Sequence, residues 1–355
     1  MTSTFLLDSH KLMYHPERVA SWLAGEDIYP INIEAGPVNR CNYRCSFCAF
    51  DYTGYKGDFL DPDIFCRTLK EFAAIGVKSI VYAGTGEPLL HRNLPDFVSL
   101  AASLGIDVGL STNAALFTPE LIRKILPGLT WMRISFNAGT QEEYAKIHGC
   151  PPANYIRALE NIHQCVAFKR ANNLAITIGV QSLMLGENMA NLLPLGRTLK
   201  KIGVDYFTLK PFSRHPASQC ERLEDPSPPL EPSWVAEMEA LTDQNFHVII
   251  RTTAMELLQN GKKNYGKCLG LSFFSYIEAD GKVYACNSFV GDTRYVYGSL
   301  AESSMTEIWK SEQRRTVLLD LAISGAAQCR LACRLDPVNQ YLWRLKNPPM
   351  HVNFI

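Results

Sequence analysis

Between residues 31 and 211, six short runs rich in β-branched residues alternate with five stretches of helical apolar spacing. Parallel strands cannot be joined by a tight turn; each pair needs a crossover of a dozen or more residues, usually a helix. A chain that alternates in this way is committed to a parallel sheet with crossover helices, the α/β class. The predicted strands are 31–35, 79–83, 107–111, 131–136, 175–180 and 206–209. Predicted helices cover 63–74, 96–104, 119–125, 153–170 and 188–202, and a short one at 16–24 precedes the first strand.

The first strand runs into Arg40-Cys41-Asn42-Tyr43-Arg44-Cys45-Ser46-Phe47-Cys48, a C-x3-C-x2-C triplet within one short loop. A [4Fe–4S] cluster is usually held by four Cys, so three leave one iron open to chelate a substrate or cosubstrate and pass it an electron. A zinc site normally takes four protein ligands, and no His lies in the loop to complete one. With Phe47 at the aromatic position, the triplet resembles the C-x3-C-x-aromatic-C signature of the radical S-adenosylmethionine (radical SAM) superfamily. The resemblance covers residues 31–211 and implies a partial (β/α)6 barrel. It also implies SAM bound at the open iron and cleaved reductively to a 5′-deoxyadenosyl radical, which abstracts hydrogen from a substrate C–H bond. A reducing protein such as flavodoxin or ferredoxin would supply the electron.

Chemistry in parallel α/β sheets gathers outside the carboxyl ends of the strands. The second predicted strand ends in Gly84-Thr85-Gly86-Glu87-Pro88, where the glycines allow a tight turn and a close approach to a ligand. The corresponding Gly-Gly-Glu of the radical SAM family binds the methionine ammonium of SAM; Thr85 departs from that pattern. The resemblance further assigns Ser111 and Asn113 on the third strand, and Ser135 and Asn137 on the fourth, to the SAM carboxylate and ribose. Gln181 and Lys210 hold similar places after the fifth and sixth strands, Lys210 as a substrate or carboxylate contact or as a strand-end charge reaching solvent.

From Pro211 to Pro232 six prolines interrupt all apolar periodicity, which marks a linker. The expected organisation is an N-terminal extension (1–30), a core (31–211), the linker (212–232) and a smaller α+β unit (233–355). That unit has a turn at Asp280-Gly281 and an amphipathic helix near 305–323. It carries Cys268, Cys286, Cys329 and Cys333, a set that resembles the SPASM segment in its shortened, one-cluster twitch form. Four ligands suit a closed auxiliary [4Fe–4S] cluster able to exchange electrons with a substrate radical; on spacing alone they also suit a structural zinc ribbon. Cys66 and Cys165 sit on apolar helix stripes as core residues. Cys150 and Cys220 are freer to face a site and are candidate hydrogen-atom donors.

Thirty-five basic residues balance 35 acidic ones, which gives no hint of a nucleic-acid partner. No apolar run is long enough to span a membrane, and the N-terminus lacks a signal-peptide pattern, so a cytoplasmic protein with reduced cysteines is expected. The segment before the first strand is too short for a leader-peptide-binding domain, which favours a small polar metabolite (a sugar, cyclitol or nucleotide sugar) undergoing oxidation or epimerisation. A ribosomal precursor peptide is the competing substrate. A two-cluster electron carrier without catalysis is the reading from another class, opposed by the unmatched ligand count of the triplet.

Overall fold

A computed structural model describes residues 10–220, 228–324 and 329–354. The six anticipated strands are present as β1 (Asn32–Ala35), β2 (Ser79–Tyr82), β3 (Asp107–Thr112), β4 (Trp131–Ser135), β5 (Thr177–Met184) and β6 (Tyr206–Pro211). Four more follow: β7 (His247–Ile250), β8 (Phe274–Ile277), β9 (Lys282–Tyr284) and β10 (Val296–Ser299). The helices are α1 (Pro16–Leu23), α2 (Pro62–Ala74), α3 (Leu94–Ser103), α4 (Pro119–Ile125), α5 (Gln141–His148), α6 (Ala153–Ala171), α7 (Met189–Ile202), α8 (Pro232–Glu239), α9 (Thr252–Asn260), α10 (Met305–Lys310), α11 (Glu312–Ser324) and α12 (Asp336–Lys346). Residues 1–9 of the expected extension and 221–227 of the expected linker lie outside the described residues. No described helix is long and apolar enough to cross a membrane.

Crossover helices start where capping residues meet proline. The Asp61 carboxylate accepts from the Ile64 amide and the Thr118 hydroxyl from that of Leu121, each with proline next in sequence, which satisfies otherwise orphaned donors. The strands form one sheet in the order β10-β9-β8-β1-β2-β3-β4-β5-β6-β7. All neighbours from β8 through β1 to β7 pair parallel, and β9 and β10 pair antiparallel. Strands from beyond the linker therefore extend both edges of the core sheet. The edge of β1, which would otherwise expose a row of unpaired backbone groups, is covered by β8 in register Asn32↔Phe274 to Ala35↔Ile277.

Register fixes which side chains share a face, because successive residues alternate. Ile33, Ile80, Val108, Leu110, Met132, Ile134, Ile178, Val180 and Phe207 all point to the helices and are fully buried. The opposite, inner face carries Glu34, Ser111, Arg133, Ser135, Gln181, Thr208 and Lys210, with Ser111 opposite Arg133, Ser135 opposite Gln181, and Gln181 opposite Thr208. Lower on this face, the Trp131 ring lies across Gly109 and the Tyr206 ring across Gly179, in space that a Cβ would need. Two aromatics thus fill the amino-terminal end of the inner face and leave the polar groups at the carboxyl end.

Two local expectations are corrected. The helix expected at 305–323 is two helices, because Ser311 takes extended backbone (ψ 152°) and its hydroxyl accepts from the Arg314 amide at 3.1 Å. Helix α5 was not anticipated, although Thr140, whose hydroxyl accepts from the Glu143 amide, and left-handed Gly149 (φ 56°) delimit it.

Candidate active site

The cysteine loop leaves β1 at the carboxyl edge of the sheet and is held from both sides. The Glu87 amide donates to the Arg40 carbonyl at 2.9 Å; the Arg44 and Ser46 amides donate to the carbonyls of His148 and Ile147 at 3.1 and 2.9 Å. The end of α5 is thus a wall of the loop, and a side chain at Gly149 would run into the Arg44 carbonyl. Each thiol has a donor within reach. The Tyr43 amide lies 3.4 Å from Cys41 Sγ, the Tyr55 hydroxyl 3.4 Å from Cys48 Sγ, and His148 Nδ1 3.5 Å from Cys45 Sγ. His148 Nε2 accepts from the Asn137 amide at 3.1 Å, which places the ring proton on Nδ1, directed at Cys45. Burial pulls His148 down to about 3, so the ring is neutral. Phe47 packs edge-on to it, ring centroids 5.6 Å apart.

Burial pushes the Cys41 thiol up to about 12 and Cys45 well above its usual range, with neighbouring thiols adding to the rise at Cys45. Buried thiols of this kind ionise when cations replace their protons, so the chemistry of the donor set fits a cluster that binds thiolates. Among the described residues, no three donors converge as one metal ion would require; the thiolates of a four-iron cluster each bind a different iron and need not do so.

Glu87 is buried, and its carboxylate accepts from the Thr112 hydroxyl (2.6 Å), the Asn113 amide (2.8 Å) and the Leu89 amide (3.2 Å). Burial nevertheless raises it to about 7, against those hydrogen bonds. Thr85, the departure from the family pattern, donates to Glu278 at 2.6 Å, and the other Glu278 oxygen accepts from Tyr276 at 2.8 Å. Burial raises Glu278 to about 7 as well. Gly84 (φ 117°) and Gly86 are confined by the Tyr276 hydroxyl and by the carbonyls of Val38 and Arg40, so the glycines serve backbone packing against the cysteine loop.

The strand-end residues divide into two groups. Ser111, Ser135, Gln181 and Lys210 stand half-buried on the inner face. Asn113 instead reaches back, its Nδ2 donating to Asn42 of the cysteine loop at 2.8 Å. Asn137 is buried, with its Oδ1 accepting from the Leu183 amide at 2.6 Å; both asparagines brace loops. Cys150 and Cys220 are likewise not on the inner face. The Cys220 thiol donates to the Ser46 carbonyl, and Cys150 lies behind the cysteine loop beside Tyr43 and Asn154.

Cys268, Cys286, Cys329 and Cys333 are brought together, each of the first, second and fourth feeling others of the set. Burial pushes Cys268 up to about 12 and Cys286 to about 11. Flanking residues grip the sheet: Arg334 pairs with Glu34 on β1, and Asn287 donates to the same carboxylate at 3.3 Å. The expected linker also takes part. Ser213 donates to the Leu331 carbonyl at 2.7 Å, between Cys329 and Cys333, while Ser218 donates to the Cys48 carbonyl at 3.3 Å and to Asp51 at 3.1 Å. A cleft of about 740 Å³ opens beside these contacts, lined among others by Tyr52, His215, Glu278, Tyr284, Cys329 and Arg330. His148, Glu278 and the 212–220 strap escaped sequence reasoning; the Thr140-x-x-Glu143 cap with Gly149 was the signal for the first.

Comparison with known proteins agrees with this geometry. Residues 36–195 match the radical SAM superfamily and residues 268–334 match SPASM, an iron–sulfur cluster-binding domain. A tungsten-containing aldehyde ferredoxin oxidoreductase cofactor-modifying protein from Pyrococcus furiosus is 24% identical over 302 residues, 78% of this chain and 80% of that protein. An AdoMet-dependent heme synthase from Methanosarcina barkeri is 24% identical over 290 residues, 77% of this chain and 80% of its own. Among solved structures, Streptococcus suis SuiB bound to the precursor peptide SuiA superposes with a TM-score of 0.62 at 14% identity, over 85% of this chain and 70% of SuiB.

Proposed function

Because the chain belongs to the radical SAM superfamily and carries a C-terminal SPASM domain, we propose that it oxidises or epimerises a small polar molecule bound on the inner face of the barrel. Its cofactors are [4Fe–4S] clusters and SAM; when bound, they supply hydrogen-atom abstraction from a substrate C–H bond. Cys41, Cys45 and Cys48 hold the first cluster, and Cys268, Cys286, Cys329 and Cys333 the auxiliary one. Tyr43, His148 and Tyr55 each direct a donor at a sulfur of the first set. The Gly84–Glu87 turn, Ser111, Ser135 and Gln181 orient SAM, and the aromatic floor of Trp131 and Tyr206 keeps water out from below. A reducing cytoplasm suits eleven cysteines of which seven serve as cluster ligands, and there a flavodoxin or ferredoxin supplies electrons.

The observation that carries this reading is the three-thiol loop at the carboxyl edge of β1, beside the Gly84–Glu87 turn and facing polar strand ends. The two relatives matched over more than three quarters of the chain bear names that refer to cofactor and heme chemistry, which supports a small-molecule substrate. A second reading, maturation of a precursor peptide, has the SuiB fold likeness in its favour. Protein reconstituted anaerobically and treated with dithionite and SAM is expected to release 5′-deoxyadenosine and methionine. Absence of both products, with the clusters intact and the cluster's electron paramagnetic resonance signal unmoved by SAM, would identify an electron carrier instead.

A further inference from the structure

The inner face holds more positive charge than SAM chemistry uses. Arg133 of β4 has its guanidinium 3.4 Å from the Ser111 hydroxyl and stacks on Trp131; among the described residues no carboxylate forms an ion pair with it, and Glu34 acts on it only at longer range. Lys210 of β6 stands in register with Leu183, two residues beyond the Gln181–Thr208 pair. Its ammonium has no hydrogen bond or ion pair among the described residues. Burial holds Lys210 well below its ordinary range, and Arg330, Arg133, Arg251 and Arg334 add repulsion.

Among the described residues, the nearby carboxylates are engaged elsewhere: Glu34 with Arg334 and Asn287, and Glu278 with Thr85 and Tyr276. Arg330 donates to Ser213 at 3.1 Å and faces the auxiliary thiols, which would balance it once ionised. SAM does not relieve the remainder, since its one carboxylate is outnumbered by its ammonium and sulfonium. Half-buried cationic groups with no ion-pair partner among the described residues are under-compensated, and this pair sits on the inner face, where a substrate must lie to meet the cofactor. Arg330 also lines the 740 Å³ cleft, so the positive path continues outward.

Resting on the proposed radical SAM reading, we infer that the substrate carries an anionic group, carboxylate or phosphate, which Arg133 and Lys210 hold on the inner face of the barrel. A guanidinium can engage such a group through two parallel hydrogen bonds while the ammonium acts as a point charge. The group anchors the substrate and leaves its reacting carbon toward the cysteine loop.

The test uses holoenzyme with both clusters and SAM present, titrated calorimetrically with inorganic pyrophosphate and, separately, with citrate. At least one probe should bind saturably, more weakly as salt is raised, and the arm that binds identifies the group. Arg133→Gln and Lys210→Met should each weaken that binding about 10- to 100-fold, as loss of a charge-assisted bond does, while iron content and thermal midpoint are kept. Should one variant fail to fold, the other carries the test. Failure of wild type to bind either probe, or binding that survives both substitutions, overturns the site. The SAM-induced change in the cluster's electron paramagnetic resonance signal, read on the same samples, separates the two levels: its absence removes the functional reading, whereas its presence without anion binding removes this inference alone.

Discussion

At the scale of single residues, His148 shows how a motif can be legible while its support is not. The three cysteines and Phe47 stand together in sequence, but the donor to Cys45 comes from a helix a hundred residues later, and nothing local ties it to the loop. Hydrogen bonds to cluster sulfurs raise reduction potentials. A net bond of about 1 kcal/mol corresponds to roughly 40 mV for one electron. His148→Leu should therefore shift the first cluster's midpoint negative by that order, with iron retained; an unmoved midpoint in electrochemical titration would make His148 a packing residue only. Glu278 was illegible for a related reason, since its partner Thr85 reads in sequence as an imperfect motif. Its folded value, raised by burial to about 7 from the usual 4.5, favours the protonated form. Its stabilising contribution is thus full below about pH 4.5 and lost as pH rises through 7, by up to about 3 kcal/mol. Glu87 follows the same sign. Chemical denaturation across pH 4.5–8 should show stability falling through this window in wild type and falling less in Glu278→Gln. Equal slopes would return Glu278 to its ordinary value.

At the scale of elements, the β/α alternation determined six strands and five crossover helices within a few residues, because apolar period and β-branched content agree along that stretch. The rest was hidden where local signal and tertiary contact diverge. Residues 212–220 are proline-rich and aperiodic, yet their side chains bond to both cysteine regions. Strand β8 is only four residues long, and its place beside β1 is set by pairing that no local pattern encodes. Glu34 joins these elements, holding Arg334 and Asn287 from the segment that follows β8. Glu34→Ala should leave Arg334, which is partly exposed, to solvent, at a cost of about 1–3 kcal/mol. Faster amide exchange is expected in the β8–β9 hairpin, together with weaker iron retention at the auxiliary set. Unchanged exchange in the hairpin would mean that strand pairing alone docks it.

At the scale of the whole molecule, composition and motif order indicated two chemical centres in one chain, but not that a single ten-stranded sheet carries both. Two four-iron clusters give about eight irons per chain. Replacing Cys41, Cys45 and Cys48 together with Ala should leave about half the iron and no SAM cleavage. Zinc in that variant, measured by elemental analysis, would mark the C-terminal set as structural. The strap at 212–220 adds a consequence for how the protein matures. Because Ser218 grips the first loop and Ser213 the second, filling either seat orders a segment that the other also needs. By reciprocity of linked equilibria, the first cluster inserted lowers the entropy still to be lost by the second. Half-loaded chains should then be scarce, and assembly should run close to all-or-none.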